Sequence, residues 1–315
     1  KPLQDTQLNR VRGVDGVEWA VPLYKGLLKA RLSNGNFQSV SVIGIDDATL
    51  IGGPLRMEAG RLEDLRQSEA VIVDSTGANG RLANVLPDGT REPLRPGATM
   101  ELNDRRATVV GVCNVSRTFQ SQPVVYTTYS RATLFAPRER KLMSFVLVKA
   151  RPGVDPAEVA LNIREGTGLA AYTTDEFTWM TYRYFMRSTG IPINFGTAVL
   201  LGFLIGTIIA GQTFFNFTLD NLRYFGALKA MGASNWQLLR MIATQAALAG
   251  SVGWGIGVGG AALIGHLARN SELAFRMPWQ LLAISGGAVI VICLVSSLLS
   301  LWKVLRLEPA VVFKG

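Results

Sequence analysis

Gly255, Gly257 and Gly260 stand at the spacing with which a backbone turn can approach a dinucleotide pyrophosphate. That chemistry needs a strand before the glycines, a helix opening at them and an acid about 20 residues further on. Here they lie inside a long uncharged run with none of that layout. The small residues Gly253 and Gly257, Gly255 and Gly259, and Gly202 and Gly206 in the preceding run instead permit close approach of a neighbouring helix, a dimer partner's included. His266, the only histidine, stands at the end of an apolar run beside Leu267, Ala268 and Arg269, where it reads as a membrane-boundary residue and supports neither a metal triad nor the usual Ser-His arrangement. No phosphate-binding loop ending in Gly-Lys-Ser or Gly-Lys-Thr occurs, and the apolar runs hold no paired carboxylates for a proton relay. Cys113 and Cys293 fall in regions that should not meet and imply neither a disulfide nor a metal site. Catalysis therefore has little support, no cofactor is expected on this chain, and any energy must come from a partner.

A charged island between two apolar runs, Asp220 to Arg240, remains. At 100° per residue, Tyr224, Phe225, Leu228 and Met231 gather on one side, and Arg223, Gly226, Ala227, Lys229 and Ala230 on the other. Gly232 stands where a left-handed C-cap is wanted, and Ser234 followed by Gln237 is a capping box for the next helix. The spacing predicts a short helix turned sharply into a span.

The elements that must hold the island are three uncharged runs, Ser188 to Leu219, Met241 to Gly265 and Met277 to Trp302. Each exceeds the roughly 20 residues that cross a bilayer. A charge at mid-span costs about 2.5–3.5 kcal/mol on insertion scales, which accounts for charge being confined to the flanks. Of 315 residues, 48% are hydrophobic and 17% charged, and the net charge is +9. Residues 188–315 hold eight basic and three acidic side chains, so a mixed-charge domain precedes the apolar runs. No dense basic patch supplies a nucleic-acid footprint. The island carries Arg223, Lys229 and Arg240 against Asp220, and the tail Lys303, Arg306 and Lys314 against Glu308, whereas the opposite loop has Arg269 and Arg276 against Glu272. The positive-inside tendency puts island and tail in the cytoplasm and the large domain outside. A further transmembrane helix is then expected before Lys1.

The outer domain reads as α+β. Residues 2–11 have a helical pattern, and Gly13 to Pro22 reads as a turn leading into a strand. Strands are expected at about 38–45, 70–74, 99–113, 123–128 and 144–150, with a tight hairpin at Asn103-Asp104 and helices at Ser130 to Phe135 and Asp155 to Arg164. The aromatic segment Asp175 to Arg187, with Phe177, Trp179, Tyr182, Tyr184 and Phe185, suits a headgroup anchor.

Arg223-Tyr224-Phe225-Gly226-Ala227-Leu228-Lys229-Ala230-Met231-Gly232-Ala233-Ser234 resembles the cytoplasmic coupling segment of bacterial ABC-transporter permeases of the FtsX/MacB superfamily, most closely the DevC-like subgroup. The tail Arg306-Leu307-Glu308-Pro309-Ala310-Val311-Val312-Phe313 and the phrase Gly13 to Pro22 are also similar to that family. The resemblance implies a membrane α-helical protein, three spans in this chain and four in the intact protein, with an α+β extracytoplasmic domain. Its divisions would be a MacB-like periplasmic domain at 1–187 with a stalk at 175–187, spans at 188–219, 235–267 and 277–303, a coupling helix at 220–234, a periplasmic loop at 268–276 and a cytoplasmic tail from 304. Arg223 to Gly232 would dock on an ABC ATPase, separate or fused before Lys1, that holds ATP and Mg. Arg223 and Lys229 would meet acidic or polar groups there, and Phe225 and Leu228 would fill an apolar cleft. The implied partners are a second copy in a homodimer, a periplasmic membrane-fusion adaptor, an outer-membrane channel and the lipid bilayer, with an amphiphilic substrate passing the stalk rings. An FtsX-like signalling permease and a LolC/LolE-like lipoprotein extractor are the alternatives.

Overall fold

The computed structural model describes residues 3–86, 89–115, 122–137, 143–267 and 277–305, with side chains as far as residue 298. The loop 268–276 and the tail from Arg306 lie outside the described residues. Two compact units meet between Met180 and Thr181.

The first unit has ten strands among the described residues: β1 (Val17–Arg31), β2 (Phe37–Ile45), β3 (Arg56–Ala59), β4 (Ala70–Asp74), β5 (Asn84–Val85), β6 (Arg91–Glu92), β7 (Thr99–Leu102), β8 (Arg105–Asn114), β9 (Val124–Thr128) and β10 (Phe145–Ala150). Its helices are α1 (Asp5–Arg12), α2 (Ser75–Asn79), α3 (Tyr129–Phe135) and α4 (Pro156–Thr167), with a 3-10 turn at Leu62–Arg66. β1 does not stop at Pro22. Its first half pairs with β10 and its second half, from Tyr24, with β2, so the missing N–H of Pro22 falls where only one side is bonded.

β2 runs parallel to β9, β9 pairs with β4, β4 runs parallel to β8, β8 pairs with β7, and β7 returns to β1 at Ala30 and Arg31. These six strands close into a ring, while β10 on β1 and β3 on β8 remain as outer strands paired on one side. Leu28, Ala30, Val40, Val42, Val71, Val73, Met100, Leu102, Val109 and Val125 from all six strands share one core. β4 is buried along its whole length because it serves two clusters, Val71 and Val73 in that core and Ala70 and Ile72 in a second with Ile45, Leu65, Cys113 and Tyr126. A third cluster packs Leu8, Val11, Val159 and Ile163 of α1 and α4 over Val17 and Ala20. The hairpin turns on Asn103 and Asp104 at φ 50° and 65°, and the Asn103 side chain donates to the Phe135 carbonyl at 2.9 Å.

α5 (Thr174–Ser188) starts in the first unit and continues past Met180. In the second unit, α6 (Ile191–Asp220), α8 (Asn235–Leu267) and α9 (Trp279–Leu305) are long and apolar enough to cross a membrane, and α7 (Leu222–Ala230) lies between α6 and α8. α9 packs against both α6 and α8. Between α8 and α9 the Trp254 indole donates to Ser285 Oγ at 3.1 Å and Cys293 Sγ donates to the Ala246 carbonyl at 3.2 Å.

Candidate functional site

The island is a helix with both ends fastened. Asn221 breaks α6 from α7 at φ −99° and ψ 13°, and its Nδ2 donates to the Phe217 carbonyl at 2.8 Å. At the far end Gly232 adopts φ +96°, its N–H reaches the Lys229 carbonyl at 3.1 Å, and the Ala233 N–H reaches the Leu228 carbonyl at 3.0 Å. These two bonds make a Schellman cap. Directly after it, the Ser234 N–H donates to Gln237 Oε1 at 2.8 Å and the Gln237 N–H to Ser234 Oγ at 3.3 Å, a reciprocal cap that opens α8. Between the two caps only Met231 to Ser234 connect α7 to α8.

The two faces of α7 differ from the helical-wheel expectation. Phe225 is 5% exposed and clusters with Leu238 and Ile242 of α8, with Leu228, Ala233 and Leu239 around them. Gly226 is also buried. Tyr224 at 71% and Met231 at 76% are exposed together with Arg223 and Ala230, while Ala227 and Lys229 are half-buried. The helix is thus rolled so that Phe225 enters the i, i+4 stripe of α8 and the Tyr224 ring stays out. Phe225 is occupied within its own chain and is not placed to fill a partner's cleft. Gly226 lies on the covered face, so it offers no small outer surface.

Among the described residues, a Cβ on Gly202, Gly206, Gly253, Gly255, Gly257 or Gly259 would meet nothing within 4 Å. The intrachain helix contact falls on other glycines. A Cβ on Gly250 would come within 2.5 Å of Cys293 Sγ, and one on Gly286 within 3.7 Å of Trp254. Any neighbour for the six predicted glycines must come from outside this chain's described helices.

His266 ends α8, exposed and next to last. Trp179, Tyr182 and Tyr184 of α5 are 65%, 56% and 62% exposed. Residue reasoning passed over Trp236, 71% exposed in the first turn of α8. The preference of tryptophan for membrane–water boundaries was the available signal. It also passed over the helix break at Asn221, for which the helical pattern on both sides leaves no mark.

Residues 1–165 match the MacB-like periplasmic core domain and residues 183–309 match the FtsX-like permease C-terminal domain. Among solved structures, the extracellular domain of the noncanonic ABC-type transporter YknZ from Gram-positive bacteria is 17% identical, with 55% of this chain and 90% of that chain covered and a TM-score of 0.40. The periplasmic region of MacB from Actinobacillus actinomycetemcomitans is 19% identical, with 57% and 83% covered and a TM-score of 0.40. Compared with curated proteins, the chain has no significant match.

Proposed function

We propose a mechanical role for this chain, which belongs to the FtsX/MacB family of ABC-transporter permeases. It is a multi-pass protein of the bacterial inner membrane, with three apolar helices and a MacB-like domain in the periplasm, and an ABC ATPase is the partner that the family implies. In our reading the ATPase is a separate subunit, as in the DevC-like subgroup, and holds the ATP and Mg; this chain binds no cofactor and transmits movement. ATPase closure pushes α7, α7 shifts the spans, and the spans change the periplasmic domain. The working unit is a homodimer with two ATPase subunits, and the six unmatched glycines of α6 and α8 suit close approach of a second copy. A periplasmic membrane-fusion adaptor and an outer-membrane channel complete a path for an amphiphilic or lipid-like substrate.

The observation that carries this reading is the fastening of α7. A helix capped into α8 on one side and clamped by Phe225 on the other moves with the span rather than independently of it. Its outer face, Arg223, Tyr224, Ala230 and Met231, is left for the ATPase, with Lys229 at its margin. The test is site-specific photo-cross-linking in the intact complex. A photoreactive residue at Tyr224 or Met231 is expected to capture the ATPase, and one at Phe225 to give intrachain products. Labelling of Tyr224→Cys by a membrane-impermeant thiol reagent from the periplasmic side, or absence of ATPase adducts from both outer positions, would overturn the reading.

A further inference from the structure

Arg164, in the last turn of α4, is the hub of the connection to α5. Its Nε donates to the Ala171 carbonyl at 2.7 Å, its Nη2 donates to Glu176 Oε2 at 2.8 Å, and its guanidinium carbon lies 5.6 Å from the centre of the Tyr172 ring. The same Glu176 oxygen accepts the Thr173 N–H at 3.0 Å, while the Thr173 hydroxyl accepts the Glu176 N–H at 3.2 Å. That reciprocal pair caps the first turn of α5. Gly168, left-handed at φ +70°, ends α4 and folds the chain back over Arg164. Phe177 adds an edge-on contact with the Phe145 ring of β10 at 5.9 Å. α5 has no buried side chain, so packing alone does not hold its root.

We propose that Arg164 is a positioning residue that locks the first turn of α5 to the end of α4. Tilt or rotation of α5 is then handed to the periplasmic domain at Glu176 instead of being absorbed in the connection between Gly168 and Thr173. The role calls for arginine. A planar fork with donors in fixed directions reaches the Ala171 carbonyl and the Glu176 carboxylate at once while its face lies by the Tyr172 ring, which a lysine ammonium cannot reproduce. The Arg164 and Glu176 side chains are 39% and 46% exposed, so the clasp works by geometry and contributes little to the stability of the domain. This inference rests on the mechanical reading above.

The test uses the full chain with its ATPase in lipid nanodiscs and reads hydrogen exchange with and without ATP plus vanadate. In Arg164→Met, amides of residues 173–180 are expected to exchange at least tenfold faster without nucleotide, while the amides of β4 keep their protection, which reports an intact fold. The nucleotide-dependent change in the periplasmic domain is expected to be lost, with ATP turnover and the response of residues 222–231 within twofold of the original. Phe145→Ala should give a partial loss, and Arg164→Lys should restore part of the response by keeping the pair with Glu176. An unchanged exchange rate at 173–180, or a full nucleotide response of the periplasmic domain in Arg164→Met, overturns the clasp alone. Absence of any nucleotide response in the periplasmic domain of the unmodified protein overturns the mechanical reading and the clasp with it.

Discussion

The Ala233 N–H donates to the Leu228 carbonyl at 3.0 Å across Gly232, whose φ of +96° suits glycine alone. This bond ends α7 and aims the chain into α8, so the direction of the proposed push is set by one backbone conformation. Gly232→Ala is expected to cost about 1–2 kcal/mol, the penalty of a side chain in left-handed backbone. Thermal unfolding of the detergent-solubilised protein checks the cost, and a fall in ATP-driven export larger than the loss of folded protein checks the role.

Phe225 and Tyr224 are neighbours with opposite duties. Phe225→Ala removes a buried ring from the cluster with Leu238 and Ile242 and should destabilise by about 3 kcal/mol. Tyr224→Ala, at an exposed position, should stay within about 0.5 kcal/mol while weakening capture of the ATPase. Gly226→Trp is expected to resemble Phe225→Ala, because a bulky ring would be forced into a buried position. Equal destabilisation by the Phe225 and Tyr224 changes would contradict the observed roll of the helix.

Asp74 is a buried carboxylate that accepts the Gly77 N–H at 2.8 Å and the Val124 N–H at 2.7 Å. Burial holds its pKa above the ordinary 3.8 even though both backbone bonds pull it down. A folded pKa above the unfolded one means that the folded state binds the proton more tightly. Its contribution to stability is therefore largest below pH 3.8 and is lost as pH rises through the raised folded value. Asp74→Asn should abolish that slope. It should also destabilise the domain by about 1–3 kcal/mol, because the amide NH2 would oppose one of the two N–H donors. Unfolding followed from pH 4 upward in both proteins separates the two effects.

Burial pushes the Cys113 thiol up to about 12, with the negative charges of Asp74 and Glu58 adding to the shift. The thiolate is the reacting species. Iodoacetamide at about pH 8 is expected to leave Cys113 unmodified in the folded protein and to label it once denaturant is added, as peptide mass spectrometry would show.

Parts of this architecture are local and were open to reading from residues. The spans within Ile191–Asp220 and Asn235–Leu267 follow from the uncharged runs Ser188 to Leu219 and Met241 to Gly265, which the bilayer thickness alone interprets. The hairpin at Asn103-Asp104, the left-handed Gly232 and the Ser234–Gln237 cap each depend on residues within a few positions of one another. Other features depend on partners far along the chain. The continuation of β1 through Pro22 is tolerated because β2 begins to pair only at Tyr24. Arg164 carries no signal of its clasp, since an arginine near a helix C-terminus is commonplace.

What the chain determined by itself was its class and its local turns: three apolar runs, a charged island between two of them, and caps that start and stop helices in place. Only the tertiary structure decided that β7 closes the ring by pairing Ala30 with Leu102 and Arg31 with Glu101, and that Phe225 rather than Tyr224 is covered. The reason is physical. A period of residues shows that an element has two faces, but which face is buried depends on the shape of what it meets, and here that surface is built by Leu238 and Ile242 from the following helix.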